Sequence, residues 1–333
     1  MNKRNISPML SSNEMIVVYI IVGLCLLIGM INPAFFSAST VIFLMRAVLV
    51  TLIFAICQMV VIISGGIDVS FPAIASISLY GAATFAIHAG IENPLVVFVI
   101  AGVIGGALGV VNAFLIANMK LPPLIATLGV SSAVNGATLA FMGTSTISNL
   151  PTRLVALSQT FLFSYVSPDG IQFNITVLIL LPIILSILVF LILKFTMLGR
   201  GIYAIGGDIH AARVAGFRVK RIQYLVYIFA GAFAGIGGVT FMTLMRQGNP
   251  SVLMGSEMMV IAAVVIGGTR ITGGHGSVIG TILGVLLIAI VENNLIMAGV
   301  PTHFQLFVVG LIIVIGTCIT SIKARRVENS IKI

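Results

Sequence analysis

Charge is what this sequence has least of. Only 8% of its 333 residues are Asp, Glu, Lys or Arg, where a soluble domain carries about 25%. A water-soluble fold of this size is therefore excluded. The patterns that mark common enzymes are missing as well. There is no G-x-x-x-x-G-K-[ST] loop to cradle the phosphates of ATP. Neither H-E-x-x-H nor G-x-S-x-G occurs. His88, His210, His275 and His303 are scattered, and Cys25, Cys57 and Cys318 sit singly in apolar runs without metal-ligand spacing. No catalytic cluster, metal site or cofactor is expected in this chain.

What the sequence has instead is apolar length. Hydrophobic residues make up 59% of it, with a mean hydropathy of +1.22. Several runs reach the roughly 20 residues that a helix needs to cross a bilayer. Ten segments are predicted: 15–32, 41–64, 71–89, 95–118, 122–142, 174–196, 222–245, 256–268, 276–298 and 304–322. The chain reads as an all-α integral membrane protein, one transmembrane domain over 1–333. Lys3 and Arg4 followed by the run 15–31 are reminiscent of a signal peptide. The run is long for that, and no small-x-small cleavage site follows, so an uncleaved first helix is expected. The eighth segment is too short to cross alone. Gly267, Gly268, Gly273 and Gly274 interrupt it, which predicts a broken or tilted helix shielded by protein or a water-filled cavity.

Lysine and arginine sort by loop. Of 17, only Arg46, Arg153 and Arg246 fall toward one side when both termini are placed on the other. Cytoplasmic loops carry the Lys and Arg excess, so both termini are expected in the cytoplasm. This sorting accounts for the net charge of +9 without a nucleic-acid-binding patch. The longest external loop is then 143–173, where Pro151, Pro168, Asp169 and Gly170 predict loop with a short surface helix. The longest internal loop is 197–221.

The stretch "VVIISGGIDVSFPAIASI" (60–77) echoes "AAVVIGGTRITGGHGSVIGTI" (262–282), with Gly65-Gly66 matching Gly267-Gly268. Both turns fall on the inner side, so the repeat would be parallel. Gly102, Gly105, Gly106 and Gly109 in the fourth span, and Gly231 and Gly235 in the seventh, have the small-xxx-small spacing of close helix packing. That spacing suits static packing, or a sliding surface. Polar residues inside spans are few: Gln58, Asn112, Asn135, Glu292, Asn293 and Asn294. Each needs a partner, which a solute, water or another helix could supply. Glu292 is the one acid placed deep in a span, where it could carry a proton or hydrogen-bond across a helix interface. A proton-coupled secondary transporter would depend on it.

Between the sixth and seventh spans, "GRGIYAIGGDIHAARVAGF" (199–217) carries unusual charge. Gly206-Gly207 reads as a turn. Asp208 can cap a helix start, Ile209 to Ala215 make two turns, and Gly216 supplies a left-handed stop. Arg213 near the end suits the helix dipole. A helix this short is marginal alone in water and needs something to pack on: the protein's own underside, lipid headgroups or a partner.

This stretch resembles the cytoplasmic loop of ABC-importer permeases of the ribose/xylose/arabinose type, whose pattern runs G-R-x-x-Y-A-I-G-G-N-x-x-A-A-x-x-S-G-I. "GGIDVS" (65–70) resembles that family's G-G-I-D-L-S turn, and "LPPLIATLGV" (121–130) its P-x-x-x-A-T-L-G segment. "MMVIAAVVIGGTRITGGHGSVIGTILG" (258–284) resembles its A-I-A-A-V-V-x-G-G-x-S-x-x-G-G-x-G motif. The matches keep family order from about residue 40 to 320. Phe71-Pro72 stands where Val-Gly is usual, Asp208 for Asn, Ala215 for Ser, Arg270 for Ser and Val130 for Thr.

The resemblance implies a permease subunit in the bacterial inner membrane that imports a monosaccharide. Its partners would be a cytoplasmic ATPase that binds ATP and magnesium, an extracytoplasmic sugar-binding protein, a second permease chain and membrane lipid. It assigns ATPase coupling to Gly199, Arg200, Gly206, Gly207, Asp208, Ala211, Ala212, Arg213 and Gly216. Gly65, Gly66, Asp68, Gly267, Gly268, Gly273 and Gly274 would form structural turns.

Overall fold

The computed structural model describes residues 13–167 and 170–294, together with 301, 304, 307, 310, 311 and 314. The expected tenth span, 304–322, lies largely outside the described residues, as do Lys3, Arg4, His303 and Cys318.

The apolar runs form helices, because only a helix satisfies every backbone polar group within one segment in lipid. These are α1 (Asn13–Ile31), α2 (Ala38–Ile63), α3 (Phe71–His88), α4 (Pro94–Ala113) and α5 (Pro123–Met142). A π-helical turn, Phe114–Asn118, extends α4. After the loop 143–173 come α7 (Leu180–Phe195) and α10 (Val219–Met245). Seven helices among the described residues are long and apolar enough to cross a membrane. Two more apolar helices are shorter: α11 (Glu257–Ile266) and α12 (Val278–Asn294). The eighth expected span is α11, and it is short as its glycines implied. Local chemistry sets several starts. The Asn93 side chain accepts from the Leu95 amide at 3.0 Å, ahead of Pro94 at the first position of α4.

The loop 143–173, expected to be external, departs from the sequence expectation. Its surface helix, α6 (Thr152–Ser158), is present. It is followed by an antiparallel hairpin of β1 (Phe161–Val166) and β2 (Gln172–Thr176). Aromatic and β-branched residues favour strand here, and Gly170, at φ +76°, sits in the connection. The hairpin takes residues 172–176, so the sixth span starts later than expected.

Helix α10 is the centre of the bundle, packed against α2, α3 and α4. Glycine makes this possible. A Cβ on Gly231 would strike the Gly105 carbonyl, and one on Gly235 the Ala101 carbonyl. Gly237 lies against the Phe54 ring of α2, and Gly238 against the Ala75 carbonyl of α3. The glycine series noted in the fourth and seventh spans thus face each other, backbone to backbone. A Cβ on Gly102 or Gly106 would meet nothing closer than 3.7 Å, and these two are not part of the tight contact.

The internal echo is visible in the backbone, one residue out of the expected register. The end of α2 closes with Gly65 N–H donating to Ile62 O at 2.9 Å and Gly66 N–H to Val61 O at 3.1 Å. The end of α11 closes with Gly268 N–H to Val265 O at 2.9 Å and Thr269 N–H to Val264 O at 3.3 Å. Both are Schellman closures. Gly268, at φ +96°, corresponds to Gly65, at φ +85°, rather than to Gly66.

Candidate functional site

Three glycine pairs far apart in sequence meet at one end of the bundle. After α7, Thr196 breaks the helix and caps the next one, accepting from the Gly199 amide at 3.1 Å. That next helix is α8 (Met197–Gly207). Gly206-Gly207 is therefore the last turn of a helix, which corrects the expectation of a loop turn. The glycine is needed for approach: a Cβ on Gly206 would collide with the Ile63 carbonyl and the Gly274 amide. Gly274 N–H itself donates to Ile63 O at 2.9 Å. Gly273, at φ +89°, faces Gly206 and the Gly65 Cα. The Tyr203 hydroxyl donates to the Gly276 carbonyl at 2.8 Å. The ends of α2 and α8 and the loop 267–277 are thereby bound together with almost no side chain between them.

From this junction projects α9 (Ile209–Val214). Asp208 turns to an extended conformation and accepts from the His210 and Ala211 amides at 2.7 and 3.2 Å. Those two donors hold its carboxyl below the usual carboxylate range. At the other end, Gly216, at φ +86°, closes the helix. Its amide donates to Arg213 O and the Phe217 amide to Ala212 O, both at 3.0 Å. Phe217 then packs near Gly201, and Ile222 of α10 lies against the same glycine. Within α9 only Ala212 is buried. Ile209, His210, Ala211 and Arg213 are exposed, and Val214 is 90% exposed. Arg200 on α8 is exposed on the same loop. So short a helix, capped at both ends and seated by one alanine, presents apolar and cationic side chains that nothing among the described residues covers.

The "GGIDVS" turn is held from three sides. Asp68 Oδ1 accepts from the Ser70 amide and hydroxyl at 2.7 and 2.6 Å. Asn112 of α4 donates to Ser70 Oγ at 2.7 Å. Thr127 of α5 accepts from the Val69 amide at 3.2 Å. On the third side, the Tyr227 hydroxyl of α10 occupies the space a side chain at Gly66 would fill. Sequence reasoning missed Ser70, Thr127, Tyr203 and Tyr227. Common hydroxyl residues carry no signal until the fold brings their partners to them.

The candidate pathway residues do not form one cluster. Asn112 serves the Ser70 turn. Asn293 and Asn294 donate to Ala289 O and Ile290 O of their own helix at 2.8 and 3.2 Å. Gln58 is fully enclosed in α2, and neither end of its amide has a partner among the described residues. Asn135 is half-buried on α5, and Glu292 is exposed on α12. Among the described residues no group of His, Cys, Asp and Glu could hold a metal ion.

Comparison with known proteins places these features in context. Residues 39–316 match the family described as branched-chain amino acid transport system / permease component. The ribose import permease of Bacillus subtilis is 31% identical over 293 residues, covering 88% of both chains. The D-allose transport system permease of Escherichia coli is 32% identical, covering 89% of this chain and 88% of its own. The fructose import permease of Bifidobacterium longum is 31% identical, covering 94% and 90%. No solved structure matches.

Proposed function

This chain belongs to the branched-chain amino acid transport permease family, and we propose that it is the membrane subunit of an ATP-driven importer of a monosaccharide. The names of its relatives support the solute class: ribose, D-allose and fructose import permeases, each about 30% identical over most of the chain. The proposed orientation puts both termini and the loop 197–221 in the cytoplasm of a cell with this permease in its inner membrane. Energy comes from a separate ATPase that binds ATP and magnesium. An extracytoplasmic sugar-binding protein delivers the solute, and a second permease chain completes the pathway.

The observation that carries this reading is α9. It is capped by Asp208, stopped by Gly216, buried at Ala212 alone and exposed on every other side. A helix of six residues does not hold its shape in water unaided. Here it is built to be gripped, and its base is the glycine junction that joins α2, α8 and the loop before α12. In the proposed cycle the ATPase subunits close on ATP and carry α9 with them. The junction passes that movement to the bundle, which rocks as a rigid body between outward and inward access.

The test is co-purification with the ATPase encoded beside this chain, then uptake into proteoliposomes with ATP on the ATPase side. ATP-dependent accumulation of a monosaccharide is the expected result. Uptake that persists without ATP or without the ATPase sinks the proposal.

A further inference from the structure

The end of the bundle opposite α9 holds few cations. Among the described residues, Lys120, Lys194, Arg200, Arg213, Arg218, Lys220, Arg221 and Arg270 lie toward the α9 end. Only Arg46, Arg153 and Arg246 lie at the far end. Cations on the outer side run against the usual bias of membrane proteins, so each needs a reason. Arg153 has a carboxylate nearby: Glu92 accepts from its amide at 3.2 Å and from the Thr152 hydroxyl at 2.9 Å. Arg46 and Arg246 have none among the described residues. Among the described residues neither forms an ion pair, yet both line the same cavity of about 330 Å³, between the outer part of α2, the β-hairpin and the end of α10.

The rest of the cavity tells what would satisfy them. Gln172 and Asn174 share the wall. Arg246 is held in the left-handed region, at φ +54°, and its Nε–H donates to Ser158 Oγ at 3.1 Å. That leaves its terminal nitrogens for a ligand. Phe43 and Phe161, about half exposed, form an apolar side of the same cavity. A fitting occupant brings anionic oxygens for two guanidinium groups and hydrocarbon for the phenylalanines.

We propose that Arg46 and Arg246 form an outer-leaflet site for the phosphodiester headgroup of an anionic phospholipid, for which phosphatidylglycerol is the probe. Guanidinium groups suit phosphate because their planar donors match its oxygens in pairs. A zwitterionic headgroup fits less well, because its ammonium would face two arginines. The site rests on the membrane reading of the chain and is independent of which solute is carried.

The full chain, purified in neutral detergent, is examined by native mass spectrometry and thermal melting with added phosphatidylglycerol, phosphatidylcholine or inorganic phosphate. Phosphatidylglycerol is expected to stay bound and raise the melting temperature, with phosphatidylcholine doing neither. Arg46→Gln and Arg246→Gln should each weaken retention about tenfold, the loss of one charge-assisted hydrogen bond. Arg46→Lys should retain part of the binding, and Arg153→Gln, outside the cavity, all of it. A matching effect of inorganic phosphate alone would overturn the lipid and leave a free-anion site. Equal retention of both lipids, or by both glutamine variants, would overturn the site. So would arginine variants that bind lipid normally and lose only docking of the sugar-binding protein. Transport activity does not enter these readouts, so a failure here is distinct from failure of the importer reading.

Discussion

The Gly274 amide donates to the carbonyl of Ile63 at 2.9 Å, which ties the loop before α12 to the last residue of α2. Gly206 lies against both partners of that bond. The contact is backbone on backbone, so its tolerance for change is set by the presence or absence of a single Cβ.

Gly206 and Gly207 are neighbours with opposite requirements. Gly206→Ala places a methyl group against the Ile63 carbonyl, whereas a Cβ on Gly207 meets nothing within 4 Å. Overpacking of this kind costs about 1–3 kcal/mol, a fall of roughly 5 °C in melting temperature for a chain of this size. Gly206→Ala is expected to show that fall and to lose ATP-driven uptake. Gly207→Ala should melt and transport as the parent does. Equal behaviour of the two variants in melts and proteoliposome assays would refute the junction.

The two ends of α9 can be broken separately. Gly216→Val forces a β-branched residue to φ +86°, at a cost of about 1–2 kcal/mol. Asp208→Pro removes the amide that donates to Ala204 O at 3.0 Å, and proline cannot adopt the φ of −157° found there. Both variants should insert in the membrane normally, lose uptake and fail to stimulate the ATPase. Normal uptake in both would remove α9 from the coupling role.

The pH response of α9 has a defined sign. Its capping amides hold the Asp208 carboxyl below the ordinary value of 3.8. A depressed folded value means the cap's contribution is complete above the ordinary value and is lost as pH falls through the folded one. In a His210→Gln background, where Asp208 alone titrates on this helix, ATPase binding should stay flat from pH 8 to pH 5. It should weaken only in stronger acid. Asp208→Asn keeps an oxygen acceptor and should abolish that acid limb. A loss of binding centred near neutrality would contradict this assignment.

Asp68 makes a sharper case for a structural carboxylate. It is 1% exposed and serves two donors of Ser70. Asp68→Ala leaves both without an acceptor, at about 2–3 kcal/mol or more. Asp68→Asn retains an oxygen and should cost much less. Thermal melts in detergent should rank them in that order, and the reverse order would show that the charge itself is what the turn requires.

Capping is local chemistry, so α9 was legible: Asp208 and Gly216 announce its ends in adjacent residues. Its neighbour α8 was not. Gly199, Gly201, Gly206 and Gly207 lower helix propensity, and three of the four sit where a Cβ would collide: Gly199 with the end of α7, Gly201 with the Ile222 and Phe217 side chains, and Gly206 with the distant backbone of Ile63 and Gly274. The glycine pairs were each visible as punctuation. That Gly65, Gly206 and Gly273 meet is a tertiary fact with no local trace. The β-hairpin was hidden for a related reason: its aromatic strands are short and lie beside a span whose apolar signal absorbs β2. The tight crossing of α4 and α10 was readable in kind from small-residue spacing. Spacing alone did not separate Gly105 and Gly109, where a Cβ would collide with facing backbone, from Gly102 and Gly106, where it would not.

Helix α10 begins at Val219, two residues after the phenylalanine that seals α9, and runs unbroken to Met245. At about 1.5 Å per residue it is some 40 Å long. Its far end reaches Arg246 and then Gly248, which pairs with Ile147 of the loop 143–173 through reciprocal hydrogen bonds of 2.9 Å. Force applied at one membrane face therefore meets a single strut whose other end is fastened to the opposite face, with no flexible joint in which the displacement could dissipate.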